Sequence, residues 1–295
     1  MTALTIRPAV MPGDLDAFNS FPYVLNTQIL DDLAAGRRRP EWLWLAQRGD
    51  RVTARAGWWS RPGDEHPMVM DVFDVDPDHL DDGRRLIEAA RPAPAPEYSR
   101  FLPPDWRRSE SDTWMTVLEQ CGAKLFVERL RLTWEPGTPV AEPSGRLTFR
   151  PPHDAGELIG LMAEVLEGTL DAYSRQDLTR MSPRAAAEEQ YRSELERYAS
   201  PRDWWRVAVL PDGEAAGFVI PAHNGYHPII AYLAVVPAHR GRGHIDDILA
   251  EGVRVLAGPD VPRIRASTDV GNTPMAAAFA RGGFRVFERQ VDMSW

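Results

Sequence analysis

Lysine is almost absent from this chain, cysteine occurs once, and no long apolar run appears. Each absence excludes something. The sole cysteine, Cys121, cannot close an internal disulfide, so packing must hold the fold, as suits a reducing cytoplasm. No stretch approaches the roughly 18 apolar residues of a membrane span. The opening residues, Met1 to Pro8, lack the basic-then-apolar order of a secretory leader. A cytoplasmic location is therefore expected. Positive charge is also in short supply: 34 Lys and Arg face 43 Asp and Glu, a formal net charge of -9. The chain as a whole has no attraction for nucleic acid or an anionic membrane, and neither is expected as a partner. Lys124 is the single lysine, and arginine carries the remaining positive charge. With Ala, Pro and Gly also abundant, this usage fits GC-rich coding better than a functional demand.

What is present is an ordinary globular composition over 295 residues, a length that suits two domains. The most informative stretch runs from Val235 to Ile245, Val-Val-Pro-Ala-His-Arg-Gly-Arg-Gly-His-Ile. The apolar run Ile229–Val236 reads as a buried strand. After it, Ile245, Ile248, Leu249, Gly252, Val253 and Leu256 share one face of a helix, with Asp246, Asp247, Glu251 and Arg254 on the others. Gly241 and Gly243 let backbone amides face outward at the helix start, and Arg240 and Arg242 stand beside them. That combination suits a phosphate or pyrophosphate. It is too short for a dinucleotide fingerprint, and no Gly-Lys-Ser/Thr follows to make an ATP loop. Downstream, Arg263–Ser267 reads as a strand, Asn272–Phe284 as a short helix closed by glycine, and Val286–Met293 as a last strand.

This order resembles the GNAT N-acetyltransferases, whose acetyl-CoA motif is V-x-P-x-x-[RQ]-G-x-G-x-[GA], followed by N-x-x-A-x-x-x-Y-x-x-x-G-F. The first motif matches from Val235 to Gly243 and departs at Ile245. The second matches at Asn272, Gly283 and Phe284 and departs at Phe279, where the family has Tyr.

Internal similarity organises the rest. Leu4–Pro8 recurs as Leu147–Pro151 and Gly13-Asp14-Leu15 as Gly156-Glu157-Leu158, both offset by 143. Ala56-Gly57-Trp58 recurs as Ala216-Gly217-Phe218, offset by 160, and Arg131–Trp134 aligns with Asp292–Trp295, offset by 161. The expected fold class is α/β: two tandem GNAT-like units, each a twisted mixed sheet flanked by helices. The repeat places them at residues 1–134 and 147–295, joined by a linker at 135–146. The tandem plan also resembles mycothiol synthase and its relatives.

The halves differ. Leu80-Asp81-Asp82-Gly83 stands where the second half has Arg240-Gly241-Arg242-Gly243, and Ser111 stands for Asn272. Two carboxylates where phosphate would lie oppose binding, and prolines from Pro92 to Pro104 stiffen a stretch where a regular strand is expected. The first half is read as a unit that kept the fold and lost the cofactor. The second half carries about 17 extra residues within Leu158–Ser200, a helix–break–helix segment holding Glu164, Glu167, Asp171, Tyr173, Asp177, Glu188 and Glu189. In the family this region covers the acceptor, and its acidity suits a cationic amine.

The resemblance implies acetyl-CoA as co-substrate and no metal. Main-chain groups of Leu233 and Val235 would meet the pantetheine and acyl amides. The loop Arg240, Gly241, Arg242, Gly243, His244 and Ile245 would hold the pyrophosphate, with Asn272 and Phe279 beside the arm. Presenting an amine of pKa about 10.4 as a neutral nucleophile at pH 7 costs about 4.6 kcal/mol, whereas releasing a thiol of pKa about 8.5 as thiolate costs only about 2 kcal/mol. A missing base is thus a larger problem than a missing acid. Candidate bases are Glu164, Asp171, His227 and Tyr232. His66-Pro67 repeats His227-Pro228 in the half without the motif, which favours a structural role for His227. The implied function is acetyl-CoA-dependent N-acetylation of a small cationic or zwitterionic amine, a metabolite or antibiotic, by a monomer or homodimer; the tandem plan adds an amino-thiol precursor. The alternatives are a non-catalytic acyl-CoA-binding module and a protein N-acetyltransferase.

Overall fold

The computed structural model describes residues 2–92, 94, 96–109, 112–258 and 261–295. In chain order the elements are β1 (Leu4–Pro8), α1 (Leu15–Phe18), α2 (Ile29–Ala34), β2 (Leu43–Arg48), β3 (Arg51–Trp59), β4 (Val69–Val75), α3 (Leu80–Ala90), β5 (Glu97–Leu102), α4 (Trp106–Ser109), α5 (Thr113–Gln120) and β6 (Lys124–Trp134). There follow β7 (Thr148–Arg150), α6 (Ala155–Val165), α7 (Ala172–Asp177), α8 (Pro183–Ser193), β8 (Arg206–Val209), β9 (Ala215–His223), β10 (Pro228–Val235), α9 (His244–Leu256), β11 (Ile264–Asp269), α10 (Thr273–Arg281) and β12 (Arg285–Ser294). The chain has the mixed α/β character expected of it, with helices in the same three intervals between strands in each half, though not in equal number.

Two compact units emerge, Met1–Glu128 with Arg289–Trp295, and Arg129–Glu288. In the first, the strands run β1-β2-β3-β4-β5 and end on residues of β12, with Arg289 opposite Leu102 and Met293 opposite Tyr98. In the second they run β7-β8-β9-β10-β11 and end on residues of β6, with Ile264 opposite Trp134 and Asp269 opposite Arg129. Neighbouring strands are antiparallel except β4 with β5 and β10 with β11. The structural boundary thus falls inside β6 and β12, not at the 135–146 turn region. The sequence-matched ends, Arg131–Trp134 and Asp292–Trp295, are equivalent strands, each completing the sheet of the unit the other half begins.

The repeated Arg-Pro and Gly-acid-Leu motifs have a common purpose. Arg7 donates to both carboxylate oxygens of Asp14, at 2.5 and 3.0 Å, and Asp14 accepts from the Val10 amide at 2.7 Å. Arg150 grips Glu157 at 2.9 and 2.5 Å, and Glu157 accepts from the His153 amide at 2.6 Å. In both units this clasp ties the first strand to the first helix.

In the second unit, α9 and α10 bury Ile248, Leu249, Val253 and Phe279 against Val219, Ile230 and Ile264 on one sheet face. On the other face α6 and α8 bury Leu158, Met162 and Tyr191 against Phe218 and Ile220. In the first unit, the proline-rich stretch precedes a regular strand, β5, instead of replacing one. Residues 93 and 95 of that stretch, and Ser111, lie outside the described residues. Among the described residues no helix is long and apolar enough to cross a membrane, and no group of three or more His, Cys, Asp or Glu could hold a metal ion.

Candidate active site

The parallel strands β10 and β11 meet at one residue pair, Ile229 with Arg265, and then diverge. On its other edge β10 stays paired with β9 down to Val235 opposite Gly217, with a register shift between Ile230 and Tyr232. The Val236 amide donates to Ala216 at 3.0 Å, which turns residue 236 toward β9. Strand alternation then turns the main-chain groups of Leu233 and Val235 toward the gap. They are the residues singled out from the sequence. The gap is a strand-wide slot whose β10 edge has no strand partner beyond Ile229, although the Val235 carbonyl accepts from Arg240, and it suits an extended arm bearing amides.

The slot leads to the start of α9. Gly241 and Gly243 both have φ of +76°, a left-handed conformation costly for any residue with a Cβ. No side chain caps α9, and the Asp246 amide turns back to the Gly243 carbonyl at 3.3 Å. The acidic residues just inside the helix do not oppose an anion there. Asp246 is paired with Arg281 at 2.7 Å, and Asp247 with Arg146 at 2.7 Å. Arg146, which sequence reasoning passed over, also donates to the carbonyls of Arg242 and Gly243, at 2.9 and 3.4 Å, bracing the loop with a cation. Its position before the repeated Leu-Thr-Phe-Arg-Pro stretch was the only signal for it.

Other side chains of the loop face elsewhere. Arg240 donates to the carbonyls of Val235, Val165 and Glu167, at 3.2, 2.7 and 2.6 Å, so it ties the end of α6 to β10 and has no free fork for phosphate. Arg242 is exposed and touches His239 at 3.4 Å. His244 turns inward and is buried, its Nδ1 unpartnered and its pKa lowered, chiefly by burial. Ile245 packs on the core under α9, leaving its amide at the helix start. Asn272 caps α10, accepting from the Met275 amide at 3.3 Å. Phe279 is 1 % exposed and meets Phe284 edge-on at 5.0 Å. It is a core residue and does not reach the slot.

The candidate bases separate clearly. Glu164 lies on the exposed side of α6. Asp171 caps α7, accepting from the Ser174 amide at 2.8 Å. Burial pushes the Tyr232 phenol well above its ordinary range, with Asp171 and Glu194 adding to the rise, so it holds its proton and cannot serve as a base near neutrality. His227 stands at the closed end of the slot. Burial and then the neighbouring Arg265, Arg263 and Arg131 hold its imidazole below the ordinary value, which keeps it neutral at pH 7. Asp269, overlooked in the sequence, ends β11 where the slot opens. It accepts from the Ala172 amide at 2.7 Å, latching α7 to the sheet, and burial raises its pKa. Part of the acidity of the covering segment is answered: Asp177 pairs with Arg180, and Glu188 with Arg184 and Arg192.

The model of the Acetyltransferase (GNAT) domain family matches residues 146–285, a span that contains slot, loop and covering segment. Over that span the second unit is similar to the GNAT acetyltransferase domain. Solved structures extend the likeness across the chain. A GCN5-related N-acetyltransferase from Sphaerobacter thermophilus superposes with a TM-score of 0.58 at 18% identity, covering 98% of this chain and 94% of its own. A tandem GNAT protein from the clavulanic acid biosynthesis pathway gives 0.52 at 16% identity, with 99% and 98% covered. A GCN5-related N-acetyltransferase from Kribbella flavida gives 0.50 at 15%, with 90% and 92% covered. At such identities the likeness speaks for the fold. No curated protein matches the chain by sequence.

The GNAT-like slot has a counterpart in the first unit, and it is filled. β4 and β5 pair only at Val69–Glu97 and Met70–Tyr98 before separating. Arg100 occupies the space beyond. It donates to the Phe73 carbonyl at 2.8 Å and to Asp74 at 2.8 Å, and its guanidinium sits 4.6 Å from the Tyr23 ring. The Phe101 amide donates to the Tyr23 hydroxyl at 3.0 Å. Phe73 is the repeat equivalent of Leu233, so side chains of the unit itself satisfy the backbone an arm would use. The loop is gone as well. α3 begins at Leu80, the equivalent of Arg240, so helix has replaced the turn, and Asp82 is buried against Arg48 at 2.7 and 2.8 Å.

Proposed function

We propose that the second unit transfers an acetyl group from acetyl-CoA to the amino group of a small zwitterionic or cationic molecule. One observation carries the reading: a slot between two parallel strands that meet at a single residue pair and then diverge toward an uncapped helix start. Leu233 and Val235 would pair with the extended arm, and the amides of Gly241 to Ile245 would receive the diphosphate, with Arg242 and Arg146 supplying positive charge. Neutral His227 takes the proton that the attacking amine loses. The acceptor is expected to be small because α6, α7 and the Asp269 latch hold a segment over the sheet.

Calorimetry should detect acetyl-CoA binding to the whole chain, and CoA release should follow addition of suitable amines, amino-thiol precursors included. No binding sinks the reading; binding without release from any amine leaves a non-catalytic acyl-CoA module. The pH profile tests the base. Because the His227 pKa is lowered, the imidazole accepts a proton only in acid, so activity should fall as pH drops through a midpoint below 6.5. In His227→Gln, turnover should drop about 10²-fold or more and this acid limb should vanish. A limb that survives the substitution removes His227 from the role.

A further inference from the structure

On the sheet face opposite α9, beside the closed end of the slot, the second unit displays arginines that the transfer reaction leaves unused. Ile264 and Ala266 of β11, with Leu132 and Trp134 of β6, enter the core beneath α9. Alternation sends Arg265, Ser267 and Asp269, with Arg129, Arg131 and Thr133, to the other face. Register sets them in opposed pairs, Arg265 with Thr133, Ser267 with Arg131, and Asp269 with Arg129.

Two of these arginines have carboxylates. Arg129 lies 3.1 Å from Asp269, and Arg131 lies 2.6 Å from Glu288. Arg265 differs. Its guanidinium sits 3.5 Å from the centre of the Phe287 ring, and no hydrogen bond or ion pair engages it among the described residues. An aromatic face orients a cation without neutralising it. Ser267 Oγ and Thr133 Oγ1 are buried without hydrogen-bond partners, and Thr133 is only 5% exposed. Native proteins rarely leave such groups unanswered. The surrounding charge is positive: Arg263 and Arg131 crowd Arg265 and lower its pKa after burial, while Glu288 is held by Arg131 and Glu135 by Arg285. His227 and, beyond it, His223 complete the titratable neighbours.

Location separates this cluster from the phosphate loop. Arg265 is level with Ile229, six residues before Val235. That is roughly 20 Å along the strand. A cation there is out of place for a diphosphate at α9.

We propose that Arg265, with the Ser267 and Thr133 hydroxyls, binds a carboxylate on the acceptor, so that the substrate is an amino-acid-like zwitterion. The guanidinium fork matches a carboxylate with two parallel hydrogen bonds. This rests on the transferase reading and narrows it. With the carboxylate held beside His227, the amine nitrogen forms its bond to the acyl carbon and its proton passes to His227. The carbon–sulfur bond breaks, and its electron pair leaves on the thiolate.

The test uses the whole chain with acetyl-CoA and matched acceptors, amino acids against their amides, at about pH 8.5, where the imidazole is neutral in every variant. The acids should be preferred in kcat/KM by about tenfold or more, and Arg265→Met should reduce the ratio to near one. In parallel, N-acetylated amino acids with CoA should raise the melting temperature of the wild-type chain, and their amides should not. Equal use and equal stabilisation of acids and amides overturn the inference, as does a preference that survives Arg265→Met. Wild-type chain that fails to bind acetyl-CoA brings down the transferase reading itself; retained binding without discrimination brings down only this one.

Discussion

Phe279 keeps the place of a motif residue while its side chain does something else. Edge-on to Phe284 beneath α9, it fills core volume. The departure from the family's Tyr was visible in the sequence; the direction of the ring was not. Arg240 teaches the same lesson. Its spacing beside two glycines promised a phosphate contact, yet carbonyls of Val235 and of the end of α6 engage its Nε and both terminal nitrogens. Carbonyls and phosphates attract the same cation, and residue order does not distinguish them. Strand alternation fixes the direction of main-chain groups, so the orientation of Leu233 and Val235 toward the gap was readable from the strand. Gly243 is the residue on which the loop depends most. Gly243→Ala would place a Cβ at φ +76°, a conformation that costs roughly 1–2 kcal/mol. Acetyl-CoA affinity should fall about two- to tenfold by calorimetry, as half to most of that strain is relieved by distorting the loop. Unchanged affinity would mean that the loop does not hold the ligand.

Among elements, the strand–turn–helix of β10 and α9 was the most legible, because its apolar spacing changes period across a glycine pair. The covering segment was less so. Its carboxylates suggested an acidic lid, although arginines three and four residues away were already in the sequence and answer Asp177 and Glu188. The latch from Asp269 to α7 and the tie from Arg240 to α6 join positions far apart in the chain, which no local pattern reveals. Arg240→Ala should release the end of α6 and cost about 1–3 kcal/mol, read from urea denaturation. A further loss of acceptor affinity, with acetyl-CoA affinity less affected, would show that α6 positions the cover. Equal stability would show that the three carbonyl contacts carry no weight.

At the level of the whole molecule, the repeat correctly announced two units of one fold. It also marked the first as altered, though for a reason composition could only hint at. The first unit did more than lose its glycines: Arg100 and Tyr23 occupy its slot. Titration should therefore end at one acetyl-CoA per chain, and Arg100→Met should destabilise the first unit by about 1–3 kcal/mol through the buried hydrogen bonds to Phe73 and Asp74 that are lost, Arg55 still pairing with Asp74, without creating a second site. Two equivalents bound by the wild-type chain would contradict this.

The sequence also placed the border at the turn-rich stretch, since turn residues are what a border usually looks like; strands that cross it cannot be seen without pairing information. Because residues 289–295 belong with the first 128, the half that is translated earliest is the last that can finish folding. At about 5–20 residues per second, some tens of seconds of elongation separate the two events. Throughout that interval the bare edge of β5 must be shielded by chaperones or by its own charge, and a ribosome stalled late in the message would strand it open.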